Sequence, residues 1–286
     1  MAAMLIAGAE PAARIRAEVA DEVQRLGELG LATVQVGEDE ASTIYLRRKH
    51  EAAAEVGIAS VDRKLPEAIP EDELLDVVAE MNADDDIDGV LVQLPLPEHI
   101  DEARVIRAVE PVKDVDGFHP FNAGQLYLGR PTHVPATPLG IMLLLNEHRV
   151  ALDGVRAVVI GRSDIVGKPV AHLLLQANAT VTICHSHTDE LARHTLDADV
   201  LVVAAGVAGI VSAEMVKTGS VVVDVGINRT DAGLVGDVDP GAAERAAFIT
   251  PVPGGVGPMT IAMLLRNTVR AARYRRGLLA FPQTRR

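Results

Sequence analysis

Short apolar runs alternate with amphipathic segments along this chain, which predicts an α/β protein. Two observations sharpen that to two α/β domains flanking a cleft. The alternation occurs both before and after an irregular stretch, residues 113–138, rich in Gly, Pro, Asn and His. Residues 155–171 read as strand, glycine turn and helix, the unit that opens a Rossmann-type dinucleotide-binding domain. The expected layout is one domain from residues 1–138 with 258–286, and the Rossmann-type domain from residues 139–257. The last helix then returns to the first domain.

In order, residues 10–29 carry Ile15, Val19, Val23 and Leu26 at helical spacing. Residues 31–36 read as a strand. Ser42 begins a helix to about Val56, and 58–65 are extended. Pro70 suits a first helical turn and opens a helix to about Met81. Residues 87–92 form a strand after the acidic turn Asp84-Asp85-Asp86, and 101–109 a short helix. Residues 113–138 show little periodicity and read as the passage between domains. Thr137-Pro138 opens a helix through Leu145. Five strands follow, at 155–160, 179–184, 200–204, 220–225 and 248–249. Gly257-Pro258 starts a final helix to about Tyr274, and the basic tail beyond Arg275 is expected to be loose.

Composition narrows the function classes. The 286 residues include 27 basic and 40 acidic ones, a net charge of −13. That balance argues against nucleic-acid and membrane-surface roles. With 2% aromatic residues and no Trp, stacking platforms for single strands are not expected either. No apolar run is long enough to span a bilayer, and the N-terminus lacks the basic and apolar regions of a secretory signal. The single cysteine, Cys184, falls in an expected core strand and fits a reducing cytoplasm. No metal site is expected.

The central motif is Gly161-Arg162-Ser163 followed by Gly167-Lys168-Pro169. Glycines stand where the backbone turns tightly, and a helix start offers N–H groups and a positive dipole end to an anion. Ser163 replaces the second glycine of the usual fingerprint, so the turn also reads as a simple strand–helix connector. After the next strand the chain reads His185-Ser186-His187-Thr188, with no carboxylate until Asp189. Hydroxyls, imidazoles and the Arg162 guanidinium suit a 2′-phosphate better than a 2′-OH, which favours NADP over NAD. Ser186 and Thr188 also read as caps for the following helix.

Four further stretches could carry chemistry. Tyr45 and Lys49, four apart on a helix, share a face. They could donate hydrogen bonds or move protons if the amine is desolvated. With Arg47 and Arg48, Lys49 could equally be part of a solvated face. Gln93-Leu94-Pro95-Leu96-Pro97 follows a strand, where open parallel sheets bind ligands. In Lys113-Asp114-Val115-Asp116-Gly117 a carboxylate could accept a pair of ligand N–H groups, or close an Asx turn. The Pro/Gly loop from Pro251 to Thr260 lets backbone approach a flat ring, or serves as a hinge.

Taken together, these five stretches in this order resemble the bifunctional methylenetetrahydrofolate dehydrogenase/methenyltetrahydrofolate cyclohydrolase family over nearly the whole chain. The resemblance implies a folate-binding catalytic first domain and an NADP-binding second one. It implies Lys49 as the central catalytic residue, supported by Tyr45 and Gln93, with Asp116 holding the pterin. It implies Gly161, Arg162, Ser163, Gly167, Ser186 and Ile227 as cofactor contacts, and Pro253, Gly254 and Gly255 as a substrate-side loop. The implied reactions are NADP-linked oxidation of 5,10-methylenetetrahydrofolate to the methenyl form and hydrolysis to 10-formyltetrahydrofolate. A homodimer is implied as well. Two positions depart from the pattern. Ala136 stands where many members carry Cys, and His187 replaces a frequent Lys, which weakens the fixed positive charge near a 2′-phosphate. The rival readings are a dehydrogenase without the cyclohydrolase step and a non-enzymatic NADP-binding sensor.

Overall fold

The computed structural model describes residues 3–231 and 233–282. In chain order the first elements are β1 (Met4–Leu5), α1 (Ala9–Leu26), β2 (Leu29–Val36), α2 (Glu40–Glu55), β3 (Ile58–Leu65), α3 (Glu71–Ala83) and β4 (Gly89–Val92). Then come α4 (Glu102–Ala108), α5 (Pro120–Tyr127), α6 (Ala136–Glu147), β5 (Arg156–Ile160), α7 (Gly167–Gln176) and β6 (Thr180–Cys184). The last are α8 (Leu191–Thr195), β7 (Val200–Val203), β8 (Val221–Asp224), β9 (Asn228–Thr230), β10 (Gly233–Val235), β11 (Phe248–Ile249) and α9 (Val256–Arg275). Among the described residues, no helix is long and apolar enough to cross a membrane.

Two compact units are distinguished. One holds the chain up to Ala12 together with Thr137–Thr260; the other holds Ala13–Ala136 and the chain from Ile261 onward. The sequence reading assigned residues 1–138 and 258–286 to one domain. The structure instead groups the first twelve residues with the dinucleotide unit. The reason is β1, which pairs in parallel with β11 through Met4↔Phe248 and Leu5↔Ile249. Two residues carry too short a pattern to be read as a strand.

The dinucleotide unit is built on a six-stranded sheet in the order β1-β11-β8-β7-β5-β6, with parallel pairing throughout. Every residue of β7 and β8 is buried, which is why β7 and the first three residues of β8 are continuous valine and leucine runs rather than alternating ones. From β5 the chain goes to β6 on one side and later to β7 on the other. Such a reversal leaves a crevice beyond the carboxyl ends of the strands, here at Gly161 and Ala204. The antiparallel hairpin β9–β10 was not expected.

The second unit has a parallel sheet in the order β3-β2-β4. Its core packs Val34, Val90 and Val92 against Leu74, Val78 and Val105 from α3 and α4. Helix α1 ends at Leu26, three residues before the expected limit, because Gly27 takes a φ of 84°. The irregular 113–138 stretch lies in this unit through Ala136 and contains a helix, α5, that the sequence reading lacked. His119 Nδ1 caps it by accepting from the Phe121 N–H at 3.0 Å. The buried Asn122 stitches the stretch together, donating to Pro111 O at 2.8 Å and Asp114 Oδ2 at 2.7 Å. Beyond Ile261 the last helix does belong to this unit, and Asn267 Nδ2 donates to Val115 O and Val134 O at 2.8 and 2.9 Å. The tail is not loose as far as Phe281, whose ring lies 5.0 Å from Tyr274 and 5.5 Å from Phe121; residues 283–286 lie outside the described ones.

Candidate active site

In the second unit, α2 begins where Asp39 Oδ2 accepts from the Ser42 N–H at 2.7 Å. One face of the helix turns to β2. There His50 Nε2 meets Thr33 Oγ1 at 2.8 Å and Thr43 Oγ1 accepts from Gln35 Nε2 at 2.8 Å. That rotation decides between the two readings of the basic run. Arg47 and Arg48 are exposed, while Lys49 is only 6% exposed. Its Nζ donates to Gln93 Oε1 at 3.2 Å and lies 4.6 Å from the centre of the Tyr45 ring. Gln93 is fixed at both ends, its backbone N–H donating to Val34 O at 2.8 Å and its Nε2 to Leu94 O at 2.7 Å. Leu94-Pro95 is a cis peptide.

The two aspartates of the 113–117 stretch have separate fates. Asp114 is the Asx-turn residue: Oδ1 accepts from the Gly117 and Phe118 N–H groups at 3.0 and 3.2 Å, and Oδ2 from His119 N–H at 2.8 Å. Lys113 is structural too, its ammonium donating to Met81 O, Asn82 O and Asp84 O at the end of α3. Asp116 is half-buried, and its carboxylate accepts no hydrogen bond among the described residues.

Electrostatics couple this group to Lys49. Burial holds the Lys49 amine below its ordinary pKa, and the Asp116 charge opposes that shift. Burial lifts the Asp116 carboxyl to about 6, Lys49 opposing and Asp114 reinforcing the rise. The cluster therefore joins an amine poised to lose its proton, an amide that orients it, and a carboxylate with unused acceptor capacity.

In the other unit, the crevice at the end of β5 is shaped by close backbone approach. A Cβ on Gly161 would stand 2.2 Å from Ala204 O, and one on Gly167 would stand 2.2 Å from Gly161 O. These are the tight-turn and helix-packing demands of the dinucleotide fingerprint, so the residues present fit such a cofactor. At the start of α7, Ser163 Oγ accepts from the Val166 and Gly167 N–H groups at 3.2 Å each. Lys168 is paired with Asp164. Arg162 and Ser186 are exposed, whereas Thr188 closes its own turn by accepting from the His185 N–H at 2.9 Å. Ile227, 61% exposed, follows β8. In the Pro/Gly loop, Val252-Pro253 is cis and Gly255 N–H donates to Pro251 O at 2.8 Å. Gly8 N–H donates to Gly254 O at the same length.

A dinucleotide crevice in one unit and a buried lysine–amide–carboxylate cluster in the other define a cofactor-dependent α/β enzyme. Residues 6–116 match the catalytic domain, and residues 135–276 the NAD(P)-binding domain, of tetrahydrofolate dehydrogenase/cyclohydrolase. The chain is 55% identical over 277 residues to the bifunctional protein FolD of Halothermothrix orenii, covering 94% of this chain and 98% of that one. It resembles the crystal structure of the bifunctional FolD enzyme of Campylobacter jejuni with a TM-score of 0.94 at 47% identity, covering 96% of this chain and all (100%) of that one. For the Trypanosoma brucei FolD complexed with NADP cofactor and inhibitor the TM-score is 0.92 at 39% identity, with 98% of this chain and 100% of that one covered. The chain belongs to the tetrahydrofolate dehydrogenase/cyclohydrolase family.

Proposed function

We propose that this chain oxidises 5,10-methylenetetrahydrofolate with NADP⁺ and then hydrolyses the methenyl product to 10-formyltetrahydrofolate, with Lys49 as the proton-handling group of the second step. The observation that carries this is the buried Lys49 amine held on Gln93 Oε1. A sensor or a dehydrogenase alone has no use for such an amine.

Oxidation needs little acid–base help. The reacting carbon lies between two nitrogens whose lone pairs stabilise the cation left behind, so the protein's task is positioning. Bound at the β5 crevice, NADP⁺ supplies the two-electron acceptor. Gly161, Arg162, Ser163, Gly167, Ser186 and Ile227 hold it, and Pro253, Gly254 and Gly255 present backbone on the substrate side. The absence of a carboxylate at residues 185–188 supports a 2′-phosphate.

Hydrolysis does need proton transfer. Water attacks the cationic methenyl carbon and loses a proton; the carbon–N5 bond then breaks, N5 takes up a proton, and the added hydroxyl gives up its own as it becomes the formyl carbonyl, for a net release of one proton. Burial favours the neutral Lys49 amine, and the substrate's positive charge pushes in the same direction. While one N–H is held on Gln93, the lone pair can point away from the amide. Tyr45 covers the amine, and Asp116 accepts the paired N–H groups of the pterin. Loss of the near-ultraviolet absorbance of added 5,10-methenyltetrahydrofolate tests the second step directly.

The shifts fix the sign of the pH dependence. With its pKa at about 6, Asp116 loses its charge as pH falls through that value, and the pterin loses a charge-assisted acceptor. Folate affinity should therefore drop on acidification through that value, and cyclohydrolase turnover at sub-saturating folate should drop with it. Affinity that is flat across this range contradicts the role of Asp116.

We also propose a homodimer, on the family resemblance. Its mass in sedimentation equilibrium should be about twice 30.3 kDa; a monomer at working concentration removes that proposal. The single cysteine, Cys184, supports a cytoplasmic location.

A further inference from the structure

Below the cofactor crevice lies a pair of buried carboxylates that no sequence pattern singled out. Asp237 is 0% and Asp224 4% exposed. Among the described residues neither has a cationic hydrogen-bond partner; both are satisfied by N–H donors. Asp237 Oδ2 accepts from the Ala205 and Gly206 N–H groups at 2.7 and 2.8 Å, and Oδ1 from Asn228 Nδ2 at 2.8 Å. Asp224 Oδ1 accepts from Gly226 N–H at 3.0 Å and from Asp237 N–H at 2.9 Å, and Oδ2 from Val238 N–H at 3.0 Å. The backbone of Asp224 is tied to Thr250, whose hydroxyl accepts from the Asp224 N–H at 2.7 Å.

The chain leaves no slack around them. A Cβ on Gly226 would stand 2.1 Å from Asp237 Oδ1, and one on Gly236 would stand 1.8 Å from Asp224 Oδ2. The Asp237 carboxylate thus ties the loop after β7 to Asn228, the first residue of β9, which closes the loop after β8. These loops present two apolar side chains to solvent, Val207 at 52% and Ile227 at 61% exposure. Exposed apolar residues at the carboxyl ends of adjacent parallel strands lie where such a sheet receives its ligand.

We propose that Asp237 is a positioning residue for the cofactor: it holds the Ala205–Val207 loop and the start of β9 at Asn228 in the spacing that lets Val207 and Ile227 grip the dinucleotide. It touches neither cofactor nor folate. The inference rests on the cofactor reading given above. It separates the two activities, because hydrolysis of the methenyl substrate uses no dinucleotide.

The test is Asp237→Asn, nearly the same shape with the wrong hydrogen-bonding pattern. Either orientation of the amide turns its NH₂ toward existing donors, Ala205 and Gly206 on one side or Asn228 on the other. The Kd for NADPH, read by fluorescence, and the KM for NADP⁺ should rise about tenfold or more. Turnover of supplied 5,10-methenyltetrahydrofolate should remain within about twofold, since no contact of its site is touched. A variant that only lowers Tm, with unchanged Kd and KM below its melting range, overturns the proposal. If Asp237→Asn does not fold, Asn228→Ala decides, since it removes one donor from a half-buried position; it should raise the NADPH Kd several-fold, and an unchanged Kd overturns the proposal. Failure of the cofactor reading itself looks different: the unmodified protein would bind no NADPH.

Discussion

Lys49→Met should remove the cyclohydrolase activity while leaving folate binding largely intact. Methionine fills the same buried channel beside Tyr45 with a side chain that neither donates nor accepts a proton. Among the described residues, the hydrogen bond it forfeits is the one to Gln93 Oε1. Positioned acid–base groups contribute roughly 10²–10⁴-fold to rate, and the loss should be of that size. Oxidation of 5,10-methylenetetrahydrofolate requires no base, so the variant should still reduce NADP⁺ and should accumulate the methenyl product. Stopped assays with supplied methenyl substrate measure the loss directly. Full hydrolysis by this variant would remove Lys49 from the mechanism.

Asp116→Asn should act on both reactions through substrate binding. The carboxylate has unused acceptor capacity, unlike Asp114, which is saturated by its own loop. An amide can accept one ligand N–H but opposes the second with its own donors. Charge-assisted hydrogen bonds are worth about 1.5–3 kcal/mol, which corresponds to roughly a tenfold to hundredfold loss of folate affinity. Fluorescence titration with tetrahydrofolate gives the number. Affinity equal to that of the unmodified protein would show that the pterin is held elsewhere. The substitution also removes the charge that opposes deprotonation of Lys49, so the amine should titrate lower still in this variant.

Much of this was legible in the chain itself. The strands of both parallel sheets are short apolar runs flanked by turn residues, and Lys49, Gln93, Asp116 and Gly161 each stand in a stretch whose spacing is readable. What spacing does not encode is which side of an ambiguous pair prevails. Arg47, Arg48 and Lys49 look alike in sequence; the turn of α2 against β2 buries only Lys49. Asp114 and Asp116 are equally placed in their motif, but the backbone of 117–119 folds onto Asp114 and not onto Asp116. Ser163 stands in the turn motif by its spacing, but that its hydroxyl caps the helix that follows is visible only in the fold. Two features were out of reach for different reasons. Helix α5 has Gly124 and a terminal proline and little apolar periodicity, and bonds from Asn122 back to Pro111 and Asp114 hold it in place. Asp224 and Asp237 are thirteen residues apart, and their shared role exists only once β8 and the following hairpin are folded. The one trace in the sequence is a glycine beside each, Gly226 and Gly236.

The most direct test of two reactions in one chain is a count of products from 5,10-methylenetetrahydrofolate and NADP⁺. NADPH and the methenyl product both absorb in the near ultraviolet, and acid quenching destroys the first while preserving the second. The account predicts that the hydride transferred far exceeds the methenyl product recovered, the difference appearing as 10-formyltetrahydrofolate. Stoichiometric methenyl product would contradict it, because the Lys49 cluster would then be silent and the chain a dehydrogenase alone.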